Sequence, residues 1–344
     1  MIDPNRSLDI MYVGTLPPHM GGSAILCSHL LNALDDLGCS IRAIAPIASN
    51  AANVSSDGLR PGIPVNRYRV PYLPNAHDQL VSEAYRRDEA ASIRVELDRL
   101  MEDRRPDLII AGRDSFAWCV PLLAQESAIP CVLLVHGGRT VTKLVADPSA
   151  TSLEPIRLGF SAATQIVSVA EHLARDLRSL GLSKIEVISN HVDLELFTPR
   201  EVDAALMRQL DIQPDNVVVA HVSKLSSIKR PLDVLEAARL ALPQDPRLRF
   251  LIVGDGPLRG AMIEACRAAR IENKFRFVGW VDHSEVPRYL SLAHLVVMPS
   301  ESEGQALTYL EAQACAKVLI ASDIPAAREI VDEGRSGFLF PRGD

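Results

Sequence analysis

The sequence lacks several features that would assign it to common protein classes. Its six cysteines are scattered and include no Cys-x-x-Cys pair. This spacing argues against a zinc site or a disulfide framework and favours buried free thiols in a reducing compartment. No apolar run approaches the roughly 20 residues of a membrane-spanning helix, and the N-terminus does not resemble a secretory signal. We therefore expect a cytoplasmic protein, at most in peripheral contact with the inner face of a membrane.

The chain is also short of positive charge. Its 36 lysines and arginines against 43 aspartates and glutamates give a net charge of −7, which argues against a general nucleic-acid binder. An anionic ligand is still compatible with this balance, because local cations and helix N-termini can bind phosphate. The sequence has no G-x-G-x-x-G fingerprint, which disfavours a dinucleotide dehydrogenase. It also has no Asp-x-Asp metal motif, so neither a metal nor another cofactor is expected.

Short β-branched runs alternate with longer amphipathic segments throughout the 344 residues. This alternation predicts an α/β fold of doubly wound parallel sheets, and the length predicts two Rossmann-like domains. The polar segment Ser189–Glu201 separates two strand–helix series, which places the domains at residues 1–190 and 191–344. We expect the irregular stretch Ser49–Pro74, with one short strand, to help select the acceptor, because long excursions tend to be functional.

The predicted elements follow from the same patterns. Strands are predicted at Leu8–Val13, Ser40–Ala45, Asp107–Ala111, Cys131–Val135, Gln165–Val169, Ile185–Ile188, Val217–Val222, Arg249–Val253, Phe275–Val278, Leu295–Met298 and Val318–Ala321. Helices are predicted at Ser23–Leu37, Gln79–Asp103, Ser115–Gln125, Ala170–Leu180, Pro231–Ala241, Leu258–Ala269, Ser284–Ser291, Leu307–Ala316 and Ala326–Asp332.

Ligands of open α/β sheets bind beyond the carboxyl ends of the strands, so the residues that follow each strand are candidates. Gly21 and Gly22 precede a helix that Ser23 could cap, where backbone can approach an anion. A simple turn explains this glycine pair equally well. His136 follows the strand Cys131–Val135 and could face a cleft, or it could simply bond to loop backbone.

The second half carries a stronger candidate set. Lys224 and Lys229 lie in a loop that leads into a helix and could converge on a diphosphate, although two solvated lysines are the simpler interpretation. The turn from Gly254 to Pro257 either lines the cleft or is purely structural. Glu303, in an exposed loop, precedes a helix that carries Glu311 about two turns along. The alternative is that Glu303 only favours the positive helix end and Glu311 is a surface residue.

Taken in order, these segments resemble the retaining glycosyltransferases of family 4, which have the GT-B fold with two domains facing across a cleft. The resemblance rests on GGSA, VISNHVDLELFTP, SKLSSIKRP, VGDGPLRGAM, FVGWV and the Glu-x7-Glu element with its trailing LEAQACAKVLIASDIPAAREIV. It implies transfer of a sugar from a nucleotide diphosphate donor to a hydroxyl acceptor, with the second domain holding the donor. The acceptor would be a sugar, a lipid-linked sugar or a small hydroxyl compound, in polysaccharide or glycoconjugate synthesis.

The resemblance also implies a role for each candidate residue. The catalytic residues would be His136 near the reacting sugar, Lys229 on the diphosphate and Glu303 on the donor sugar. The remaining donor contacts would be Gly21 and Gly22, Lys224, Val278 near the base, the backbone of Gly304, Gln305, Ala306 and Leu307 at the phosphate, and Glu311 at the ribose.

The chain departs from the family pattern at several positions. Lys224 replaces an expected arginine, Gln305-Ala306 replaces Phe-Gly, and His191 replaces a glycine. The chain also ends at Asp344, earlier than family members that close with further helices, so we expect a short C-terminal end and weak domain closure. Two alternatives remain: a non-catalytic sugar-nucleotide-binding protein, and a GT-B-fold sugar-nucleotide epimerase.

Overall fold

A computed structural model describes residues 7–17, 21–48, 58–70 and 83–344. The chain divides into two compact units, Met1–Ser189 and Asn190–Asp344, one residue from the boundary that we predicted. Each unit is an α/β domain built on a parallel sheet, as expected. In the part of the chain that is described, no helix is long and apolar enough to cross a membrane.

The first unit contains a seven-stranded parallel sheet in the order β3-β2-β1-β4-β5-β6-β7. Its strands are β1 (Asp9–Val13), β2 (Ser40–Ala48), β3 (Val65–Val70), β4 (Leu108–Ala111), β5 (Cys131–Val135), β6 (Gln165–Ser168) and β7 (Ile185–Val187). Its helices are α1 (Gly22–Asp36), α2 (Glu83–Asp103), α3 (Val120–Glu126), α4 (Gly138–Ala146), α5 (Glu154–Ala162) and α6 (Glu171–Ser179), with 3-10 turns at Asp114–Trp118 and Thr151–Leu153.

The second unit contains a six-stranded parallel sheet in the order β10-β9-β8-β11-β12-β13. Its strands are β8 (Val217–Val222), β9 (Leu248–Val253), β10 (Phe275–Gly279), β11 (Leu295–Met298), β12 (Val318–Ser322) and β13 (Gly337–Phe340). Its helices are α7 (Ala204–Gln209), α8 (Pro231–Ala241), α9 (Arg259–Ala268), α10 (Val286–Leu292), α11 (Leu307–Ala314) and α12 (Pro325–Arg328), with 3-10 turns at Ser227–Lys229, Glu272–Lys274 and His283–Glu285.

Apolar side chains pack on both faces of each sheet, so the inner strands β1, β4, β5, β8, β9 and β11 each contribute to two cores. In β1, Met11 and Val13 pack into one apolar cluster while Ile10 and Tyr12 pack into the opposite one. The period of two along a strand sends neighbouring side chains to opposite faces. This is why the strands of both units appear in the sequence as continuous apolar runs.

The prediction of one continuous helix over Ser115–Gln125 is wrong. The structure has a 3-10 turn that ends at Trp118 and a separate helix α3 that begins at Val120. The break falls just before Pro121, which has no backbone N–H and is tolerated only in the first turn of a helix. The predicted helix Leu307–Ala316 ends early, at Ala314, because Ala316 adopts the left-handed conformation with φ of 54°.

Each sheet reverses its strand order at one place, between β1 and β4 in the first unit and between β8 and β11 in the second. At such a switch point the connections leave on opposite faces of the sheet, and a crevice opens beyond the carboxyl ends of the two strands. These are the two places where the fold itself predicts a ligand site.

Candidate functional site

The switch point of the second unit brings Lys229 and Glu303 together. Lys229 ends the 3-10 turn after β8, and its Nζ contacts Oε1 of Glu303 in the loop after β11. A backbone bond from Glu301 N to the Ile228 carbonyl, 2.8 Å long, joins the same two loops. The side chains are only 22% and 10% exposed. The prediction of an exposed loop at Glu303 is therefore wrong, because the ion pair draws its carboxylate inward.

Helix α11 begins directly after this ion pair. Its N-cap is Ala306, which has no side-chain capping bond, so the first amides of the helix have no partner inside it. The Thr308 hydroxyl donates to the Val222 carbonyl at 3.2 Å and holds the helix start against the end of β8. An uncapped helix N-terminus beside a lysine is a favourable position for a phosphate group.

Gln305 forms hydrogen bonds within the protein, through both its side chain and its backbone carbonyl. Its side-chain oxygen accepts from the Asn190 backbone N–H at 2.5 Å, and its backbone carbonyl accepts from the Asn190 amide at 2.9 Å. The residue that departs from the family pattern therefore anchors the first residue of the second unit. Gly304 and Ala306 on either side are buried, which restricts the backbone that leads into α11.

Glu311 is buried, with only 4% of its surface exposed, so its alternative interpretation as a surface residue is wrong. It lies four residues after the start of α11, which is about one turn rather than two. Its Oε1 lies 2.7 Å from Nε2 of His283, whose ring packs against Phe197 with centroids 5.0 Å apart. The pair places a fixed carboxylate next to an imidazole, two groups that suit ribose hydroxyls.

The loop that carries Lys224 is held by the turn after β9. Leu225 donates to the Asp255 carbonyl at 2.9 Å. Gly254 has φ of 126°, and a Cβ there would come within 1.9 Å of the Ser223 carbonyl. The glycine turn thus supports the lysine loop, while Lys224 itself is exposed. Val278, near the end of β10, is half-buried against the core.

A buried histidine lies beneath the second switch point. His221 in β8 has Nδ1 2.9 Å from the Val297 carbonyl and Nε2 2.7 Å from the Ser223 hydroxyl. Burial lowers its pKa to about 4, so the ring is neutral at pH 7. A neutral ring can bond on both sides, and it ties β8 to the neighbouring strand β11. Sequence patterns gave no indication of it, because His221 stands inside an apolar run.

The switch point of the first unit contains His136. It follows β5, as predicted, and its Nε2 lies 3.6 Å from Sγ of Cys27 on α1. Burial, and then the charge of Arg113, lowers the pKa of His136 to about 4. Its Nδ1 is buried and has no hydrogen-bond partner among the described residues. The alternative, a histidine bonded to loop backbone, receives no support from these contacts.

Asp114 supports the loop that holds His136. It is 4% exposed, and its Oδ1 accepts from the Gly137 backbone N–H at 3.3 Å. Burial raises the pKa of this carboxyl group. Neither Asp114 nor Cys27 is marked by a motif, although the polar run after β4 could have directed attention to Asp114.

The glycine pair lies where the sequence predicts, at the N-terminus of α1. Gly21 is the N-cap with φ of 148°, Gly22 is the first helical residue, and Ser23 is already inside the helix. The expectation that Ser23 could cap the helix is therefore wrong. No described atom lies within 4 Å of a Cβ built on Gly21, so the space beside this helix start is open in the described part of the chain.

Comparisons with known proteins show the family to which this chain belongs. The family model described as Glycosyltransferase Family 4 matches residues 20–196, and the model described as Glycosyl transferases group 1 matches residues 202–344. A D-inositol 3-phosphate glycosyltransferase of Kribbella flavida is 28% identical over 93% of this chain and 79% of its own length. An N-acetyl-alpha-D-glucosaminyl L-malate synthase of Bacillus anthracis is 28% identical over 63% of this chain, and the match spans 55% of that relative.

Two solved structures share the fold at low sequence identity. Anabaena HepE in complex with UDP-glucose has a TM-score of 0.75 at 18% identity, covering 98% of this chain and 86% of that one. Sucrose-phosphate synthase from Thermosynechococcus elongatus has a TM-score of 0.75 at 20% identity, with the same coverage of both chains.

The two family models together match most of the chain, and with its two parallel-sheet domains they place it among the glycosyltransferases of the GT-B class. More particularly, the chain belongs to glycosyltransferase family 4.

Proposed function

We propose that this protein is a retaining glycosyltransferase that transfers a sugar from a nucleotide diphosphate donor to a hydroxyl group of an acceptor. The observation that carries the proposal is the Lys229–Glu303 pair beside the uncapped N-terminus of α11. Sugar transfer releases a nucleotide diphosphate, and the charge that develops on it must be stabilised. Lys229 and the amides near Gln305–Leu307 supply that stabilisation, and no metal is needed.

The other residues of the second unit would hold the rest of the donor. Glu303 binds sugar hydroxyls, Glu311 with His283 binds the ribose, and Val278 lies near the base. Lys224 adds a second, exposed cation for the diphosphate. HepE, which shares the fold, has been solved with UDP-glucose, and this supports a sugar nucleotide as donor.

Retention at the anomeric carbon follows from attack on the face that the leaving group occupies. The bond from the anomeric carbon to the diphosphate oxygen breaks while the acceptor oxygen forms its bond on the same face. The acceptor proton passes to an oxygen of the departing diphosphate. No protein carboxylate has to act as a nucleophile in this sequence of events.

The first unit would supply the acceptor site and His136, together with the helix start at Gly21 and Gly22. The names of the relatives specify malate, inositol 3-phosphate and 2-deoxystreptamine, three small hydroxyl compounds. These names support a small hydroxyl acceptor; a sugar or lipid-linked sugar of a surface glycoconjugate is the second candidate. A cytoplasmic location, with peripheral membrane contact for a lipid-linked acceptor, fits six cysteines that are all free.

A thermal-shift screen across UDP-, GDP- and ADP-sugars tests the donor assignment. A donor at one hundred times its Kd stabilises the folded state by about 2.7 kcal/mol, and one nucleotide class should stand out. The matched control is Lys229→Met, which should lose about half of the shift or more. If no sugar nucleotide stabilises the protein, the proposal is wrong. Binding without turnover would favour the non-catalytic alternative, and conversion of the donor without an acceptor would favour the epimerase.

A further inference from the structure

Three polar side chains, those of Tyr12, Cys27 and His136, lie in a row at the switch point of the first unit. Tyr12 in β1 and Cys27 in α1 are both 0% exposed. The Tyr12 hydroxyl donates to the Thr15 carbonyl at 3.0 Å, and the Cys27 thiol donates to the Gly112 carbonyl at 3.4 Å. The same sulfur lies 3.6 Å from Nε2 of His136.

Gly112 makes this close arrangement possible. A Cβ at Gly112 would come within 2.1 Å of the Tyr12 hydroxyl oxygen, so any side chain there would displace the tyrosine. The carbonyl of the same residue accepts the thiol proton of Cys27. The sulfur that faces His136 is therefore held by a hydrogen bond to the residue that follows β4.

The protons of Tyr12, Cys27 and His136 can be assigned one by one. Burial raises the pKa of the Cys27 thiol to about 11 and also raises the pKa of Tyr12, so each keeps its proton at pH 7. Each of those protons has a carbonyl acceptor. The ring of His136 is neutral at this pH and carries one proton, on either Nε2 or Nδ1.

The two tautomers of His136 differ in their hydrogen bonds. A proton on Nε2 is donated to the Cys27 sulfur, whereas a proton on Nδ1 has no acceptor among the described residues. A buried N–H without an acceptor is rarer in proteins than an acceptor with a spare lone pair. The contacts therefore favour the Nε2–H tautomer, in which the Nδ1 lone pair has no hydrogen-bond donor among the described residues.

We propose that Cys27 is a positioning residue that holds His136 in its Nε2–H tautomer, so that Nδ1 accepts a hydrogen bond from a sugar hydroxyl. The second half of this statement rests on the proposed sugar transfer, whereas the tautomer does not. In this role His136 orients the sugar and takes no proton from it.

Nitrogen NMR of the full chain labelled with ¹⁵N-histidine tests the tautomer without any activity measurement. The His136 signals are assigned by their loss in His136→Gln. In the wild type, long-range ¹H–¹⁵N spectra should show a protonated Nε2 and an unprotonated Nδ1. In Cys27→Ala and Cys27→Val the single tautomer should be replaced by a mixture, and Cys27→Ser should restore it, because a hydroxyl also accepts and donates. A proton on Nδ1 in the wild type, or an unchanged tautomer in both Cys27→Ala and Cys27→Val, would overturn the proposal.

Steady-state kinetics provide the second measurement. We expect kcat to fall roughly threefold to tenfold in Cys27→Ala, the factor that one net hydrogen bond contributes, and to recover in Cys27→Ser. Cys131→Ala is the matched control: it removes a buried thiol of the same unit from the far end of β5, about 16 Å along the strand from His136. An equal loss in the control would show a general packing effect and refute the positioning role. If no donor is turned over, the proposed function fails while the spectra still decide the tautomer.

Discussion

Glu303→Gln and Lys229→Met should have opposite effects on the binding of a nucleoside diphosphate, although the two residues form one ion pair. Nζ of Lys229 contacts Oε1 of the Glu303 carboxylate. A bound diphosphate would compete with that carboxylate for the same cation. Replacing Glu303 by glutamine removes the competitor and keeps the shape of the side chain, whereas replacing Lys229 by methionine removes the cation itself.

The expected change in the Kd for the diphosphate follows from the environment of the Lys229–Glu303 pair. Lys229 and Glu303 are 22% and 10% exposed, so solvent screens them only weakly. A hydrogen bond to a charged group contributes about 1.5–3 kcal/mol, which corresponds to a change of about 10- to 150-fold in Kd. Lys229→Met should weaken diphosphate binding by that factor. Glu303→Gln should tighten the Kd by up to about tenfold. It should nevertheless lose sugar transfer, because the carboxylate that would hold the sugar is gone.

Isothermal titration calorimetry with the nucleoside diphosphate of the preferred donor measures both effects. The double variant Lys229→Met/Glu303→Gln completes the cycle: without the lysine, Glu303→Gln should no longer improve binding. Circular dichroism melts confirm that each variant is folded. If Glu303→Gln weakened diphosphate binding as strongly as Lys229→Met, competition for the lysine would be refuted and both residues would be simple binders.

Two further predictions concern buried groups of the second unit. Glu311→Gln should weaken binding of the ribonucleoside diphosphate by roughly threefold to tenfold, the value of one net hydrogen bond, yet leave binding of the 2′,3′-dideoxy analogue unchanged; an equal loss for both ligands would contradict a ribose contact. Burial lowers the pKa of His221 to about 4, whereas its pKa in the unfolded chain is about 6.5. As the pH falls, the unfolded chain therefore binds the proton first, and the stability of the folded state is lost between pH 6.5 and pH 4. In urea unfolding, the free energy of unfolding should therefore fall between pH 7 and pH 5, and this fall should be smaller by about 2 kcal/mol in His221→Gln than in the wild type. An identical fall in both proteins would argue against the depressed pKa.

The elements predicted from apolar runs agree closely with the structure, because buried parallel strands are continuous in sequence. Strand β13 and helices α4, α5 and α7 were missed because they are short: the strand has four residues and none of the three helices is longer than nine. Their conformation depends on packing against neighbours that are distant in sequence.

Some residues of the candidate site could be predicted from the sequence and others could not, for the same reason. Lys229 and Glu303 follow strand ends in recognisable motifs, and the structure brings them into contact. His283 and Cys27 carry no motif, and their importance lies in partners 28 and 109 residues away along the chain. The burial of Glu311 also could not be read from its position alone, because a helix face is buried or exposed according to what packs on it.

The configuration of the newly formed glycosidic bond shows whether this protein is a retaining glycosyltransferase. The protein is incubated with the sugar nucleotide that stabilises it most and with a panel of small hydroxyl acceptors, and the product is followed by ¹H NMR. Retaining transfer predicts a new glycoside whose anomeric configuration equals that of the donor, and no product with Lys229→Met. A product of inverted configuration, or a donor that is bound but never transferred to any acceptor, would contradict it.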